Sequence, residues 1–204
     1  MHFTKLKNRN ANPSICIPAI NPGELKEVTP TKCMWYLGLW FDPQLKFHEH
    51  TKIAASKASR ATEALCMLGN STSGINQLCL RQFYLCVILP IMTYGSATFW
   101  DGKSNTIKDT LTCAQNKALH LITGAFKTTP IQALEIEASI PPIDIMLNYH
   151  MECHAIHTQQ LDPSNPVMCC IPEHHRENTP IPSPPPLPNF PPLPKSHVLA
   201  YLIK

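Results

Sequence analysis

The sequence has few glycines, and none of them belongs to a phosphate-binding loop. Its seven glycines include no GxGxxG and no GKS/T context, the patterns that place backbone N–H groups around a phosphate. No Gly-x-Ser-x-Gly elbow occurs either, which argues against the nucleophile of an α/β-hydrolase. The sequence therefore excludes the common nucleotide-cradling loops and this form of serine catalysis.

Paired carboxylates are also missing from the sequence. The aspartates at positions 42, 101, 109, 144 and 162 each stand alone, whereas two-metal phosphoryl chemistry needs neighbouring carboxylates that hold two magnesium ions. We therefore expect no catalytic residues and no cofactor of the chain's own.

Charge is scarce as well. Charged residues make up 15% of the chain and the formal net charge is +3, too weak a balance to indicate a nucleic-acid partner by itself. The nine cysteines are scattered apart from Cys169-Cys170, and residues 1–11 are polar and basic with no apolar stretch after them. These features predict an intracellular, reducing location, with nucleus and cytoplasm both open.

One long run carries no charge at all. Residues 82–100, QFYLCVILPIMTYGSATFW, are long enough to span a membrane. Pro90 interrupts this run, and Thr93, Gly95 and Ser96 dilute its second half. We therefore favour a buried core helix without a membrane partner. A membrane-associated protein that spans at residues 83–100 is the alternative.

The apolar patterns predict a mainly α fold with a β-hairpin at the N-terminus. Residues 14–20 alternate, and Asn21-Pro22-Gly23 indicates a turn. Residues 33–41, CMWYLGLWF, do not alternate, so they predict a second strand that is apolar on both faces. Spacings of three and four residues then predict a bundle of helices. The predicted helices cover residues 48–68, 75–94 with a bend at Pro90, 104–122, 130–138 and 143–160.

The patterns divide the chain into three regions: a hairpin at 1–47, a helical region at 48–160 and a tail at 161–204. Eleven of the 21 prolines fall between residues 166 and 194, which predicts polyproline II or disorder in the tail. PxxP spacings make an SH3 or WW domain a candidate partner, but Lys195 directly follows Pro194, so a linker is preferred. A small helical interaction protein with a partner-binding tail is a further alternative.

Histidine and cysteine gather on one face of the last predicted helix. His150, Cys153, His154 and His157 stand at i, i+3, i+4 and i+7, a set that could bind zinc. Structural zinc sites usually take ligands from two elements at paired spacings. A partly buried helix face is therefore the preferred interpretation, and the four residues are weak metal candidates.

A basic face is predicted on the helix at residues 48–68. Lys52, Lys57 and Arg60 lie beside its apolar stripe. Most such faces are simply solvated, but a positive helix beside an aromatic, glycine-containing strand could contact the phosphates of a nucleic acid. These residues are the candidate backbone contacts.

Three segments together resemble one family. YLGLWFDPQLKFHEH is similar to the YLG-x-x-x-D-x-x-L-x-F-x-x-H segment of non-LTR (LINE-type) retrotransposon reverse transcriptases. LRQFYLCVILPIMTYGSATFW resembles the family's L-R-x-x-Y…P…Y-G…W segment, and AQNKALHLITGAFKTTPIQALEIEASIPP resembles its Q-N-x-A-L-R-x-I-x-G-A-F-x-T-T-P…E-A…P-P segment. The segments occur in the family's order, and the similarity covers residues 1–160.

The resemblance implies roles for particular residues. Tyr36, Leu37 and Gly38 match the primer-grip hairpin that holds the growing 3′ end, and the helices from His48 onward match the thumb and the connection after it. The family's catalytic palm, with its paired aspartates and magnesium, would lie before Met1. The resemblance therefore implies a fragment of an RNA-directed DNA polymerase, inactive alone and with at most weak, non-specific nucleic-acid binding.

Overall fold

The computed structural model describes residues 14–18, 25–29, 31–68, 75–162 and 164–171. These residues are mainly helical and begin with short β-hairpins. The chain divides into two compact units, Met1–Ile53 and Ala54–Lys204. The predicted turn at residues 21–23 and the proline-rich segment from residue 172 onward lie outside the described residues.

The N-terminal unit contains two antiparallel hairpins. Strand β1 (Ile15–Pro18) pairs with β2 (Leu25–Val28), so that Ile15 lies opposite Val28. Strand β3 (Met34–Tyr36) pairs with β4 (Leu39–Phe41). The prediction of one strand across residues 33–41 is therefore wrong, because that segment folds back on itself.

The reversal within residues 33–41 is a two-residue turn. Leu37 and Gly38 have φ values of 48° and 84°, and Tyr36 lies opposite Leu39 in the register. Positive φ at both central positions defines a type I′ turn, whose twist matches that of the two strands. The missing alternation in the sequence thus reflects a turn inside an apolar run and not a strand buried on both faces.

Helix α1 (His48–Leu68) has the bounds that its spacing predicts. Its 21 residues include no proline or glycine and are rich in alanine, the best helix former. In the C-terminal unit the face bearing Ala54, Ala58, Thr62 and Leu65 is buried. Residues at these spacings share one side of a helix. Ala54, Ala58 and Leu65 belong to the predicted apolar stripe, whereas Ala61, also predicted in it, is half-exposed.

The second predicted helix is a series of helical segments. Helix α2 (Gln77–Phe83) continues through a π-helical segment (Tyr84–Ile88) into α3 (Leu89–Thr93), and α4 (Ser96–Phe99) follows Gly95. Pro90 lacks an N–H and crowds the carbonyl four residues before it. The wider π-helical segment precedes this proline, with the Leu89 N–H donating to the carbonyl of Tyr84, so the strain is absorbed without a break.

Four further helices complete the described residues: α5 (Asn105–Thr123), α6 (Ile131–Ala138), α7 (Ile143–Gln159) and α8 (Pro166–Cys169). Gly124 ends α5 at a φ of 64°, the left-handed conformation that glycine adopts without strain. Pro130 and Pro142 occupy the N-cap positions of α6 and α7, one residue earlier than the first helical position at which we predicted Pro130.

The core of the C-terminal unit lies among α2–α7. Tyr84, Met92, Leu111, Leu119 and Leu147 are fully or almost fully buried there. Burial of such side chains stabilises a fold by about 1.5–3 kcal/mol each. The predicted inward positions of α5 include Ile107, Leu111, Ala114 and Ala118, and all four are buried. Leu121, the fifth position predicted to face inward, is half-exposed.

Candidate nucleic-acid interface

The first family-like segment forms the turn between the β3–β4 hairpin and α1. The Asp42 carboxylate accepts hydrogen bonds from the backbone N–H groups of Lys46 (3.1 Å) and Phe47 (2.8 Å), and the Leu45 N–H donates to the Asp42 carbonyl at 3.0 Å. One aspartate therefore satisfies two backbone donors just before the helix, where such donors lack helical partners. Leu45 and Phe47 take positive φ values of 54° and 56°.

Buried side chains fix this connection from the inside. Phe47 and His50 are both 6% exposed, and the ring of Phe47 meets that of Phe41 edge-on at 5.5 Å. The Thr51 hydroxyl donates to the Phe47 carbonyl at 2.9 Å. The aspartate, phenylalanine and histidine of the segment thus orient the hairpin and the start of α1 within the N-terminal unit.

The primer-grip-like residues lie at the tip of this hairpin. Tyr36 ends β3, while Leu37 and Gly38 form the turn. The side chains of Trp35, Tyr36 and Leu37 are 61%, 56% and 71% exposed, an unusual cluster of large apolar side chains for one turn. The tip is therefore available for contact with another molecule, as a primer-grip role would require.

The three basic candidates on α1 differ in their surroundings. The ammonium group of Lys52 forms an ion pair with Glu49 at 2.9 Å, which partly offsets its charge. Lys57 and Arg60 are exposed and stand three residues apart on the helix. Exposed pairs such as Lys52–Glu49 contribute about 1 kcal/mol or less, so Lys52 can exchange its partner for a phosphate at little cost.

The second and third family-like segments meet in the C-terminal unit. Arg81 Nε and Nη2 donate to the carbonyls of Ala138 and Ser139 at 3.0 and 3.2 Å. These bonds join α2 to the end of α6, where Ser139 takes a positive φ of 51°. Burial lowers the pKa of the Arg81 guanidinium, but these two carbonyls compensate its charge.

Two further polar contacts lie in the C-terminal unit, one within the third segment and one from the end of the second segment to α7. Gln115 Nε2 donates to the Pro141 carbonyl at 2.8 Å, and Trp100 Nε1 donates to Asn148 Oδ1 at 2.7 Å. Near them, burial raises the pKa of the Tyr84 phenol, so that its hydroxyl stays protonated. These partners could not be predicted from the sequence, because 26 and 48 residues separate them along the chain.

The histidine and cysteine face of α7 does not assemble into a metal site. His150 and Cys153 are half-buried, whereas His154 and His157 are exposed. Burial lowers the pKa of His150, whose ring meets that of Tyr149 at 5.7 Å. Within the described part of the chain, no three histidine, cysteine, aspartate or glutamate side chains come together in a group that could hold a metal ion.

The apolar segment Gln77–Phe99 is long and apolar enough to cross a membrane by length and composition. About a third of its most apolar window, 33%, is buried inside the structure, including Tyr84, Ile88 and Met92. A buried core helix passes the same test, so length and composition alone do not distinguish a membrane span from a core helix.

A shallow groove at the end of α5 was not predicted. It has a volume of about 430 Å³ and is lined by Cys113, Asn116, Lys117, His120, Ala125 and Lys127. Lys117 forms an ion pair with Glu63 of α1. No sequence pattern links Lys117 to Lys127, because only the reversal of the chain at Gly124 brings them together.

In comparisons with known proteins, no family model, no curated protein and no solved structure matches the chain.

Proposed function

We propose that the chain is the part of a non-LTR retrotransposon RNA-directed DNA polymerase that follows the catalytic palm. The β3–β4 hairpin is its primer grip, α1 and the following helices are its thumb-like bundle and connection, and the chain alone does not polymerise. Its remaining activity is weak, sequence-independent binding of nucleic acid. No cofactor belongs to the chain, since magnesium would be held by the palm.

One observation carries this proposal: the three segments that resemble the family occur in order, and distinctive residues of each make structural hydrogen bonds. Asp42 and Phe47 shape the exit from the hairpin, while Arg81 of the second segment binds the backbone of the third. The residues shared with the family therefore have structural roles, within the first segment and between the second and the third. This supports a common descent of all three segments, from which the function is inferred.

The binding part of the proposal assigns the phosphate contacts to Lys52, Lys57 and Arg60. Three contacts predict a plot of log affinity against log salt concentration with a slope of about −2 to −3. We expect the triple variant Lys52→Glu, Lys57→Glu, Arg60→Glu to lose measurable affinity for a labelled primer–template in fluorescence anisotropy at low salt.

A matched control distinguishes the effect of these three positions from the effect of the change in net charge. Lys32, Lys46 and Lys103 are also exposed, and their reversal to glutamate changes the net charge by the same amount. This control should retain most of the affinity. Equal losses in both triple variants, or unchanged affinity in the first, would contradict the assignment to α1.

A membrane-associated protein is the second candidate, and the observation that favours it is the apolar segment Gln77–Phe99. Fractionation of cells that express the chain separates the two. Extraction into the carbonate-soluble fraction is expected from the polymerase proposal, whereas carbonate-resistant pelleting would favour a span. The third candidate, an interaction protein with a proline-rich tail, predicts capture by an SH3 or WW domain that is lost when the tail prolines are replaced.

A further inference from the structure

The groove at the end of α5 has the composition of an anion site. Its lining residues include Lys117, Lys127 and His120 and no carboxylate. Asn116 Oδ1 and His120 Nδ1 are buried without a hydrogen-bond partner in the part of the chain described. The amide oxygen can accept from a donor such as a base N–H, and the ring nitrogen can donate to an anion in the tautomer that carries its hydrogen. Buried polar atoms normally have partners, which points to a polar ligand.

Lys127 is the lysine most able to bind such a ligand. Its exposed side chain makes no ion pair among the described residues, while Lys117 is shared with Glu63. The C-terminal end of α5 carries a partial negative charge that opposes an anion. The attraction must therefore come from the lysine side chains and not from the helix.

An exposed aromatic residue adjoins the lining of the groove along the chain. Phe126 lies between two of its lining residues, Ala125 and Lys127, and is 87% exposed. The Thr129 N–H donates to the Phe126 carbonyl at 2.9 Å and closes the turn that begins at Phe126. An exposed ring next to cationic side chains is the combination by which proteins bind single-stranded nucleic acid, the ring stacking on a base and the cations contacting phosphates.

We propose that Phe126 and the groove together form a binding site for single-stranded nucleic acid. A phosphate lies against Lys127 and Lys117, and the adjacent base stacks on Phe126. This inference rests on the proposed nucleic-acid binding of the chain, but it uses residues that are separate from the basic candidates on α1.

Anisotropy of a short labelled single-stranded oligonucleotide tests the site in the full chain. We expect Phe126→Ala to raise Kd about tenfold, as loss of one stacked base does, and Phe126→Trp to preserve affinity. Lys127→Glu should reduce the magnitude of the salt slope by about 0.7, one single-strand phosphate contact. The control Lys103→Glu changes the same charge outside the groove and should leave the slope nearly unchanged.

The same variants distinguish failure of the site from failure of the proposed function. All three substituted side chains are exposed, and circular dichroism checks that each of the four variants folds. If the unsubstituted chain binds and both Phe126→Ala and Lys127→Glu bind equally well, the site is refuted while the proposed function stands. If the unsubstituted chain binds no nucleic acid at low salt, both are refuted. A tenfold loss on a duplex of the same sequence with Phe126→Ala would contradict base stacking.

Discussion

At the scale of single residues, the hydrogen bonds of Asp42 and Arg81 give these two side chains a structural role in the segments that resemble the family. Asp42 accepts two backbone N–H groups ahead of α1, and Arg81 donates to two carbonyls at the end of α6. Both side chains bond to backbone groups that lack a partner in regular secondary structure. Their roles could not be predicted from the sequence, because each depends on a partner fixed only by the folded chain.

Glu135 leads to a prediction at this scale. Its burial, and secondly the negative charge of Asp144, raise the pKa of its carboxyl, which Lys108 opposes in part. The folded chain therefore binds this proton more tightly than the unfolded chain. The free energy of unfolding therefore falls as pH rises from about 4.3, the pKa of glutamate in the unfolded chain, through the higher pKa in the folded chain. Above the folded pKa, Glu135 is charged in both states and the full loss of stability is present.

We therefore expect Glu135→Gln to stabilise the chain at neutral pH and to have little effect below about pH 4, where both forms are neutral. Urea unfolding at the two pH values measures this difference. The control is Glu152→Gln, an exposed position on α7. A stabilisation of equal size at both pH values would show that charge is not its cause.

At the scale of elements, the long helices α1, α5 and α7 were predictable, whereas the second hairpin was not, nor was the short helix α8 inside the predicted tail. The apolar periodicity predicts the bounds of α1, and it predicts both ends of α5 and α7 to within one residue. The reversal at residues 37–38 lacks the Asn-Gly or Asp-Gly signal of a type I′ turn, since leucine stands at its first central position. An apolar run that contains a turn has no period to reveal it.

The leucine in this turn leads to a prediction about stability. Leu37 is held at a φ of 48°, a conformation that costs a non-glycine residue about 1–2 kcal/mol. Asparagine tolerates it better, so Leu37→Asn should raise the free energy of unfolding by about 1 kcal/mol. Gly38→Ala, at a φ of 84°, should lower it by a similar amount. Chemical denaturation followed by tryptophan fluorescence measures both variants, and a destabilised Leu37→Asn would mean that the leucine side chain contributes more than its backbone costs.

At the scale of the whole molecule, the account predicts a chain that binds nucleic acid without extending it. Polymerisation by two metal ions needs paired carboxylates to position them, and the account assigns these to the palm. The purified chain should give no primer extension above background with template, primer, nucleotides and magnesium or manganese. The contradicting result is primer extension by the pure chain that persists when Lys52, Lys57 and Arg60 are all reversed to glutamate and that stops when the metal ions are chelated. Such extension would show that the chain has a catalytic centre of its own.

The N-terminal unit bears directly on the idea of a missing palm. Ile15, Ile17 and Val28 on the β1–β2 hairpin are 64%, 48% and 42% exposed, as is Trp35 on the next hairpin at 61%. Two-stranded hairpins are marginally stable alone, and apolar faces of this kind normally pack against a further layer. A palm preceding these strands would supply that layer.

The most direct measurement of the central claim is therefore the sequence of the DNA that precedes the Met1 codon. The account predicts that one of the three forward frames encodes an aromatic-Ala-Asp-Asp motif and the surrounding palm, with stop codons or frameshifts allowed in between. Upstream DNA without a trace of polymerase in any frame would contradict the account and favour an independent helical protein.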